Sequence, residues 1–155
     1  MKVRFANVND VSLIYSFIQK KAEFDREIGA FSGQLKTSEE KICQTIFSKK
    51  PFAYVLFART IEGEIGFALY CFRYSSFAGQ PSIWLDDLYV NENMRSQGAG
   101  TALMTRLVAI AKENNCTHIA WTADKRNSRG LNFYHQLGAK ITKHENNRCF
   151  FTWTL

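Results

Sequence analysis

Two hydrophobic periods alternate along the chain. Over residues 2–6 polar and apolar side chains alternate, the period of a half-buried strand. Val11, Ile14, Tyr15 and Ile18 fall at helical spacing, which predicts a helix opened by Asn9 or Asp10 and reaching about residue 24. Thr37-Ser38-Glu39-Glu40 has the form of a capping box and predicts a second helix to about Phe47. Residues 52–61 are rich in β-branched and aromatic types, Glu62-Gly63 marks a turn, and residues 64–74 resume as a strand, so the segment reads as a hairpin. A loop from Ser75 to Pro81 leads to a strand at 82–90. Leu103, Leu107, Ile110 and Ala111 form one stripe of a helix over 99–113. A strand at 117–123, a helix at 128–137 stopped by Gly138, and strands at 139–144 and 148–154 follow.

This order places hairpins beside one strand–helix–strand crossover. It predicts an α+β fold, a mixed sheet of about seven strands flanked by helices. No repeat or linker interrupts the 155 residues, so residues 1–155 are expected to form a single domain. With 46% apolar and 22% charged residues, the composition excludes a disordered or collagen-like chain. No stretch approaches the ~18 consecutive apolar residues of a membrane span. The start, Met1-Lys2-Val3-Arg4-Phe5, lacks a signal-peptide core, and a cytoplasmic protein without a membrane role is expected. Cys43, Cys71, Cys116 and Cys149 lie far apart with no CxxC spacing, and His118, His135 and His144 show no pairing pattern. They read as thiols in or near the core and as structural or exposed histidines; no metal site is expected. The net charge of +6 suits an anionic ligand. The basic residues are scattered in pairs without a long run, so no nucleic-acid role is expected.

The most informative stretch is Leu88-Tyr89-Val90-Asn91-Glu92-Asn93-Met94-Arg95-Ser96-Gln97-Gly98-Ala99-Gly100-Thr101. A strand runs into a glycine-bearing turn that opens an amphipathic helix. Amides at a helix N-terminus lack intrahelical acceptors and sit at the positive end of the helix dipole, so they attract anions. The competing reading is that Gly98 and Gly100 only permit a tight turn, with Ser96 as an ordinary N-cap. A dinucleotide fingerprint needs a third glycine and a later acidic residue, and a P-loop needs Gly-Lys-Ser/Thr. About thirty residues on comes Asn127-Ser128-Arg129-Gly130-Leu131-Asn132-Phe133-Tyr134-His135-Gln136-Leu137-Gly138-Ala139, a helix start with a glycine stop. Leu131, Tyr134 and Leu137 fit a packed helix face equally well.

Together the two segments resemble the GNAT superfamily of N-acetyltransferases. Its acetyl-CoA loop, Arg/Gln-x-x-Gly-x-Gly/Ala, is matched by Arg95, Gly98 and Gly100; its later Asn-x-x-small-x-x-Phe-Tyr-x-x-x-Gly is matched by Asn127, Gly130, Phe133, Tyr134 and Gly138. The stretches Gly66–Tyr70, Tyr74–Gly79, Leu85–Val90 and Ala22–Asp25 further resemble the diamine acetyltransferase branch, with polyamine, thialysine and diamino-acid acetylases. Polyamine acetylases usually carry an acidic residue and a tryptophan where Ser75 and Phe77 stand; Ser75 resembles the thialysine-type relatives.

The resemblance implies a mostly antiparallel sheet with a bulged strand beside the acetyl-CoA cleft. It implies acetyl transfer from acetyl-CoA, the cosubstrate, to a primary amine of a small diamine, polyamine or diamino acid. Protein N-termini, lysine side chains, or a non-catalytic CoA-binding module are the alternatives. Backbone of Leu88, Tyr89 and Val90 is expected to hold the thioester and pantetheine, with Asn127 beside it. Arg95, Ser96, Gln97, Gly98, Ala99, Gly100 and Thr101 are expected to take the pyrophosphate. Lys125 and Arg129 are expected at the solvated surface, with contact to an outer phosphate as the alternative.

Tyr134 matches the family's general acid. Asp86 matches the proposed base; being one methylene shorter than glutamate, it suits a water relay. Asp25 and Asp87 are expected to bind the cationic substrate. Glu23, Asp25 and Glu27 form one acidic cluster and Asp86, Asp87 and Glu92 another, with solvated surface as the competing account. Successive strand residues face opposite sides, so only one of Asp86 and Asp87 faces a given cleft unless a bulge intervenes. Trp84 and Trp121 are expected in the core. By family analogy the protein is a homodimer.

Overall fold

The computed structural model describes residues 1–155, and its elements follow from the two periods above. Seven strands form one sheet: β1 (Lys2–Phe5), β2 (Tyr54–Thr60), β3 (Gly63–Ser75), β4 (Gln80–Val90), β5 (His118–Asp124), β6 (Lys140–Glu145) and β7 (Arg148–Thr154). Four helices accompany them: α1 (Val11–Glu27), α2 (Glu39–Ile46), α3 (Ala99–Glu113) and α4 (Ser128–Gln136). The sheet order is β1-β2-β3-β4-β5-β7-β6. Every neighbouring pair is antiparallel except β4 and β5, which α3 joins as a parallel crossover. The expected α+β sheet of seven strands is therefore present.

Each sheet face buries its own apolar set. Ile83 and Leu85 of β4, Ile119 and Trp121 of β5 and Phe151 of β7 pack with Leu103, Leu107 and Ile110 of α3, and Tyr134 of α4 joins them. On the opposite face Phe57 and Phe67 pack against Ile14 and Phe17 of α1 and Ile42 of α2. Phe17 lies 5.3 Å from the Phe67 ring and 6.3 Å from Tyr89.

Three expectations shift for physical reasons. Asn9 and Asp10 do not cap α1 with their side chains. Asn7 caps a short 3-10 turn ahead of it, while Asp10 takes two hydrogen bonds from the Arg4 guanidinium at 2.8 and 2.9 Å. Trp84 is only half-buried, because Arg73 rather than core covers its ring, at 3.7 Å. The loop between β3 and β4 shrinks to the tip of a long hairpin, since pairing continues to Ser75↔Gln80. Trp121 is core as expected, whereas Cys43 is exposed. No helix is long and apolar enough to cross a membrane.

Candidate active site

The parallel junction is short. β4 pairs with β5 only at Ile83↔Ile119 and Trp84↔Ala120, after which the strands diverge. Main-chain groups of β4 beyond Leu85 thus have no ladder partner on the β5 side, and a buried backbone group without a partner requires one from elsewhere. The divergence opens a cleft of ≈ 570 Å³, into which Leu88, Tyr89 and Val90 contribute one wall and Trp121, Thr122 and Ala123 the other.

At one end of the cleft stands the start of α3. Ser96 and Gly98 both take positive φ, 63° and 87°. The first helical hydrogen bond runs from the Ala102 amide to the Gly98 carbonyl, so the amides of residues 99–101 have no intrahelical acceptor. The N-cap is Gly98, without a side-chain cap; Ser96 is not the cap. The Ser96 hydroxyl instead accepts a hydrogen bond from Arg129 Nη2 at 2.9 Å, which draws a guanidinium to the turn. The two glycines serve different ends. A side chain at Gly98 would meet nothing within 4 Å, leaving room for a ligand, whereas a Cβ at Gly100 would stand 2.9 Å from the Phe133 ring of α4. Arg95 spends its Nε on the Val90 carbonyl at 3.0 Å and lies over Phe24 and Tyr89 at 5.2 and 5.5 Å, so it ties the turn to β4 and α1.

α4 forms the second wall. Asn127 caps it, accepting from the Gly130 amide at 2.9 Å, and a Cβ at residue 130 would lie 2.4 Å from that carboxamide. The cap spends the Asn127 oxygen and leaves its Nδ2 as a donor in the cleft wall. Tyr134 is 8% exposed, its ring 5.0 Å from Trp121 and 5.1 Å from Phe151. Burial pushes its phenol above the ordinary value, and the negative charges of Asp87 and Asp25 add to the rise, while Arg148 opposes it. The phenol is therefore a standing proton donor near neutral pH.

The carboxylates gather through a register slip. Leu69 pairs with Asp87 and Tyr70 with Leu85, so Asp86 is the extra residue of a β-bulge. The alternation breaks there, and Asp86 and Asp87 come to the same face, the one that α1 covers. Asp86 is exposed and accepts from Trp84 Nε1 at 3.4 Å. Burial raises the Asp87 carboxyl to about 6; Lys21 opposes the rise, and Asp86 and Asp25 add to it. Asp25 is held by Lys21 Nζ at 2.6 Å, one turn away on α1.

Most of the expected residues converge on the cleft: Asp25 and Asp86, Leu88 to Val90, Arg95, Ser96, Gly98 to Thr101, Asn127 and Tyr134. Gln97 and Asp87 are not among the residues that line it, although the Asp87 charge interacts with four that do, Lys21, Asp25, Asp86 and Tyr134. Of the α1 acids, only Asp25 reaches the cleft; Glu23 pairs with Arg26 at the surface, 3.2 Å away, and Glu27 is exposed. Glu92 and Lys125 also stay outside. Two further features were not anticipated. Asp124 ends β5 buried, gripped by Arg126 through Nε and Nη2 at 2.8 Å and through the Arg126 amide, which pulls its carboxyl down to about 2. Arg148, on β7, donates to Thr122 Oγ1 at 2.5 Å and lines the cleft. An Asp-x-Arg before a helix start was a legible signal for the first; the second depends on the β5–β7 register.

Known proteins resemble this chain in sequence and in fold. A thialysine N-epsilon-acetyltransferase from Bos taurus is 31% identical over 96% of this chain and 89% of its own length. An L-ornithine N5-acetyltransferase from Arabidopsis thaliana is 22% identical over 92% of this chain and 80% of its own. The crystal structure of an N-acetyltransferase from Thermoplasma acidophilum in complex with coenzyme A superposes with a TM-score of 0.82 at 17% identity, covering 100% of both chains. The model of the acetyltransferase (GNAT) family matches residues 21–139, which takes in the last turns of α1, the bulged strand, the α3 turn and Tyr134. The strand divergence, the glycine turn and the match across most of the sequence have one common explanation: the chain belongs to the acetyltransferase (GNAT) family.

Proposed function

We propose that the protein, acting as one catalytic domain, transfers the acetyl group of acetyl-CoA to the primary amine of a small diamine, polyamine or diamino acid. A diamino acid is the preferred acceptor. The observation that carries this reading is the bulge at Asp86. It sets two carboxylates on one face of β4 at the point where that strand parts from β5 and where Tyr134 approaches from α4. The names of the bovine and plant relatives support an acceptor bearing two amines and a carboxylate.

The cleft fits the cosubstrate. Free amides at the α3 turn, the open space over Gly98 and the Arg129 guanidinium suit a diphosphate. The unladdered backbone of Leu88, Tyr89 and Val90 suits an extended arm bearing amides, with Asn127 Nδ2 as a further donor. Gln97 lends its backbone to the turn. Arg95 holds the turn to β4 rather than acting as a free phosphate ligand.

An alkyl amine has a pKa of about 10.4, so nearly all of it arrives protonated at neutral pH. Asp25 and Asp87 draw the ammonium into the cleft. Asp86, exposed to solvent, accepts the amine's proton through a water. The amine lone pair then attacks the thioester carbonyl, the carbon–sulfur bond breaks, and Tyr134 donates to the departing sulfur. The burial that raises the Tyr134 phenol also raises the proton affinity of a thiolate formed beside it, so that transfer remains within reach. The unpaired cysteine thiols accord with a cytoplasmic enzyme, and the homodimer is inferred from family resemblance.

The test is release of CoA thiol from acetyl-CoA with lysine, ornithine, thialysine, putrescine and spermidine. Release with the diamino acids is expected. Tight acetyl-CoA binding without release on any amine would replace this reading with that of a binding module.

A further inference from the structure

Two cations in the cleft wall make no ion pair and hydrogen-bond only a neutral hydroxyl, although the charge of Arg148 also helps to lower the carboxyl of its strand partner Asp124. Lys21 is paired with Asp25 and Arg95 is tied to the Val90 carbonyl, whereas Arg129 donates to Ser96 and Arg148 to Thr122. Arg129 stands at the α3 turn, where a diphosphate is accounted for. Arg148 stands elsewhere. Thr122 lies two residues past Ala120, the last β5 residue paired to β4, so the Thr122–Arg148 contact sits at the mouth of the gap. Ile119, Trp121 and Ala123 are buried on the α3 side of β5, so by strand alternation Thr122 faces the other side. That is the side on which the bulge sets Asp86 and Asp87. Arg148, Thr122, Asp86 and Tyr134 all line the same cleft, which puts the guanidinium in one chamber with the candidate reacting groups.

The acceptor end is therefore bipolar, with carboxylates on β4 and α1 facing a free guanidinium on β7. We propose that Arg148, oriented by the Thr122 hydroxyl, is the subsite for the α-carboxylate of a diamino acid, whose distal amine lies between Asp86 and Tyr134. This assignment rests on the acetyl-transfer reading and deepens it. A planar guanidinium fork matches a carboxylate through two parallel hydrogen bonds, and an exposed Arg148 keeps its remaining donors for that purpose. The same charge repels the second ammonium of a linear diamine. Arg148 thus selects by attraction to one acceptor and repulsion of the other.

The experiment compares matched acceptors differing only in the carboxylate: ornithine against putrescine, and lysine against cadaverine. Steady-state kcat/KM is measured for the wild-type protein, Arg148→Met and Arg148→Lys, together with acetyl-CoA affinity by titration calorimetry. The wild-type protein is expected to prefer the diamino acids. In Arg148→Met that preference should fall about tenfold to a hundredfold, mostly through KM, the size expected for a charge-assisted hydrogen-bonded pair. Arg148→Lys should restore part of it. Equal losses on both members of a pair, an unchanged preference, or a loss of acetyl-CoA affinity matching the loss of activity would each overturn the assignment. If no amine in either pair releases CoA thiol, the acetyl-transfer reading itself fails and takes this assignment with it. Release that ignores the carboxylate in wild-type and variant alike overturns the assignment only.

Discussion

Asp87 carries a free-energy cost that substitution should expose. Its carboxyl is raised from the ordinary 3.8 to about 6, chiefly by burial in the wall between β4 and α1. A raised carboxyl binds its proton more tightly in the folded chain than in the unfolded one. Its neutral form therefore favours folding, an advantage fully present below about pH 4 that disappears as pH rises through 6. At 1.36 kcal/mol per pH unit, the ionised Asp87 costs the folded state at most ~3 kcal/mol above pH 6. Asp87→Asn keeps the shape and removes the charge. It also removes the attraction to Lys21, so the expected gain is ~1–3 kcal/mol at pH 8. Urea unfolding of both proteins at intervals from about pH 4 to pH 8 measures it. The two stability curves should converge near pH 4 and separate through pH 6, with the variant more stable at the alkaline end. Parallel curves, or a variant less stable at pH 8, would refute the claim that Asp87 is held against its charge. The wild-type kcat/KM should fall on the acid side near pH 6, as Asp87 loses the charge that draws in the ammonium. The variant should be slow throughout and lack that limb. A gain in stability accompanied by a loss of activity is the expected mark of a site kept strained for function.

Other substitutions test other walls of the cleft. Tyr134→Phe should lower kcat by about 10²-fold, the usual scale for a lost proton donor, while acetyl-CoA affinity measured by calorimetry stays within about threefold; unchanged turnover would remove the phenol from the chemistry. Gly100→Ala forces a methyl to 2.9 Å from the Phe133 ring and should cost about 1–3 kcal/mol of stability in urea melts. Gly100→Ala combined with Phe133→Leu should recover part of that loss; simple additivity of the two would mean the ring is not the obstacle. Arg126→Leu strips Asp124 of its partner. A lowered carboxyl contributes stability above its unfolded pKa and loses it as pH falls, so the wild-type melting temperature should decline between about pH 4 and pH 2. Arg126→Leu should melt lower at pH 7 and show a shallower acid decline, since the residue-126 amide and Arg148 still favour the ionised Asp124, and matching acid profiles would exclude the side-chain pair as a clamp.

Legibility in the sequence followed the range of the forces involved. The α3 turn and the α4 cap could be read because their determinants lie within a few residues of one another. Gly98 supplies the positive φ, and Asn127 reaches only to Gly130. The α1 start was misassigned because Arg4, on another element, claims the Asp10 carboxylate and leaves Asn7 to cap. In the sequence Gly100 reads as part of a tight turn or of an anion-binding loop, whereas its steric reason lies in Phe133, thirty-three residues along the chain. Trp84 has the composition of a core residue, yet its strand runs beyond the cover of the helices and an arginine takes their place. Arg148 carries no local signal. Only the β5–β7 register, with Asp124↔Arg148 at its end, brings it to Thr122.

The strand order explains how a chain of net charge +6 can attract an ammonium. β4 and β5 are parallel neighbours, so both point their carboxyl ends the same way and both feed into helices. The amino termini of α3 and α4 therefore meet at one end of the gap, where their unpaired amides and dipoles favour anions. Gly100 against the Phe133 ring holds the start of α3 against the body of α4. The bulge acts on β4 before that end is reached, turning Asp86 onto the face of Asp87 and Asp25. Topology thus gives the gap a positive end, and one inserted residue gives it a negative flank. Tyr134 stands between them, where a bond between a phosphate-bearing carrier and a charged amine has to be exchanged. The global charge is felt only at long range and is screened within about 8–10 Å at physiological salt, so the local arrangement decides what enters.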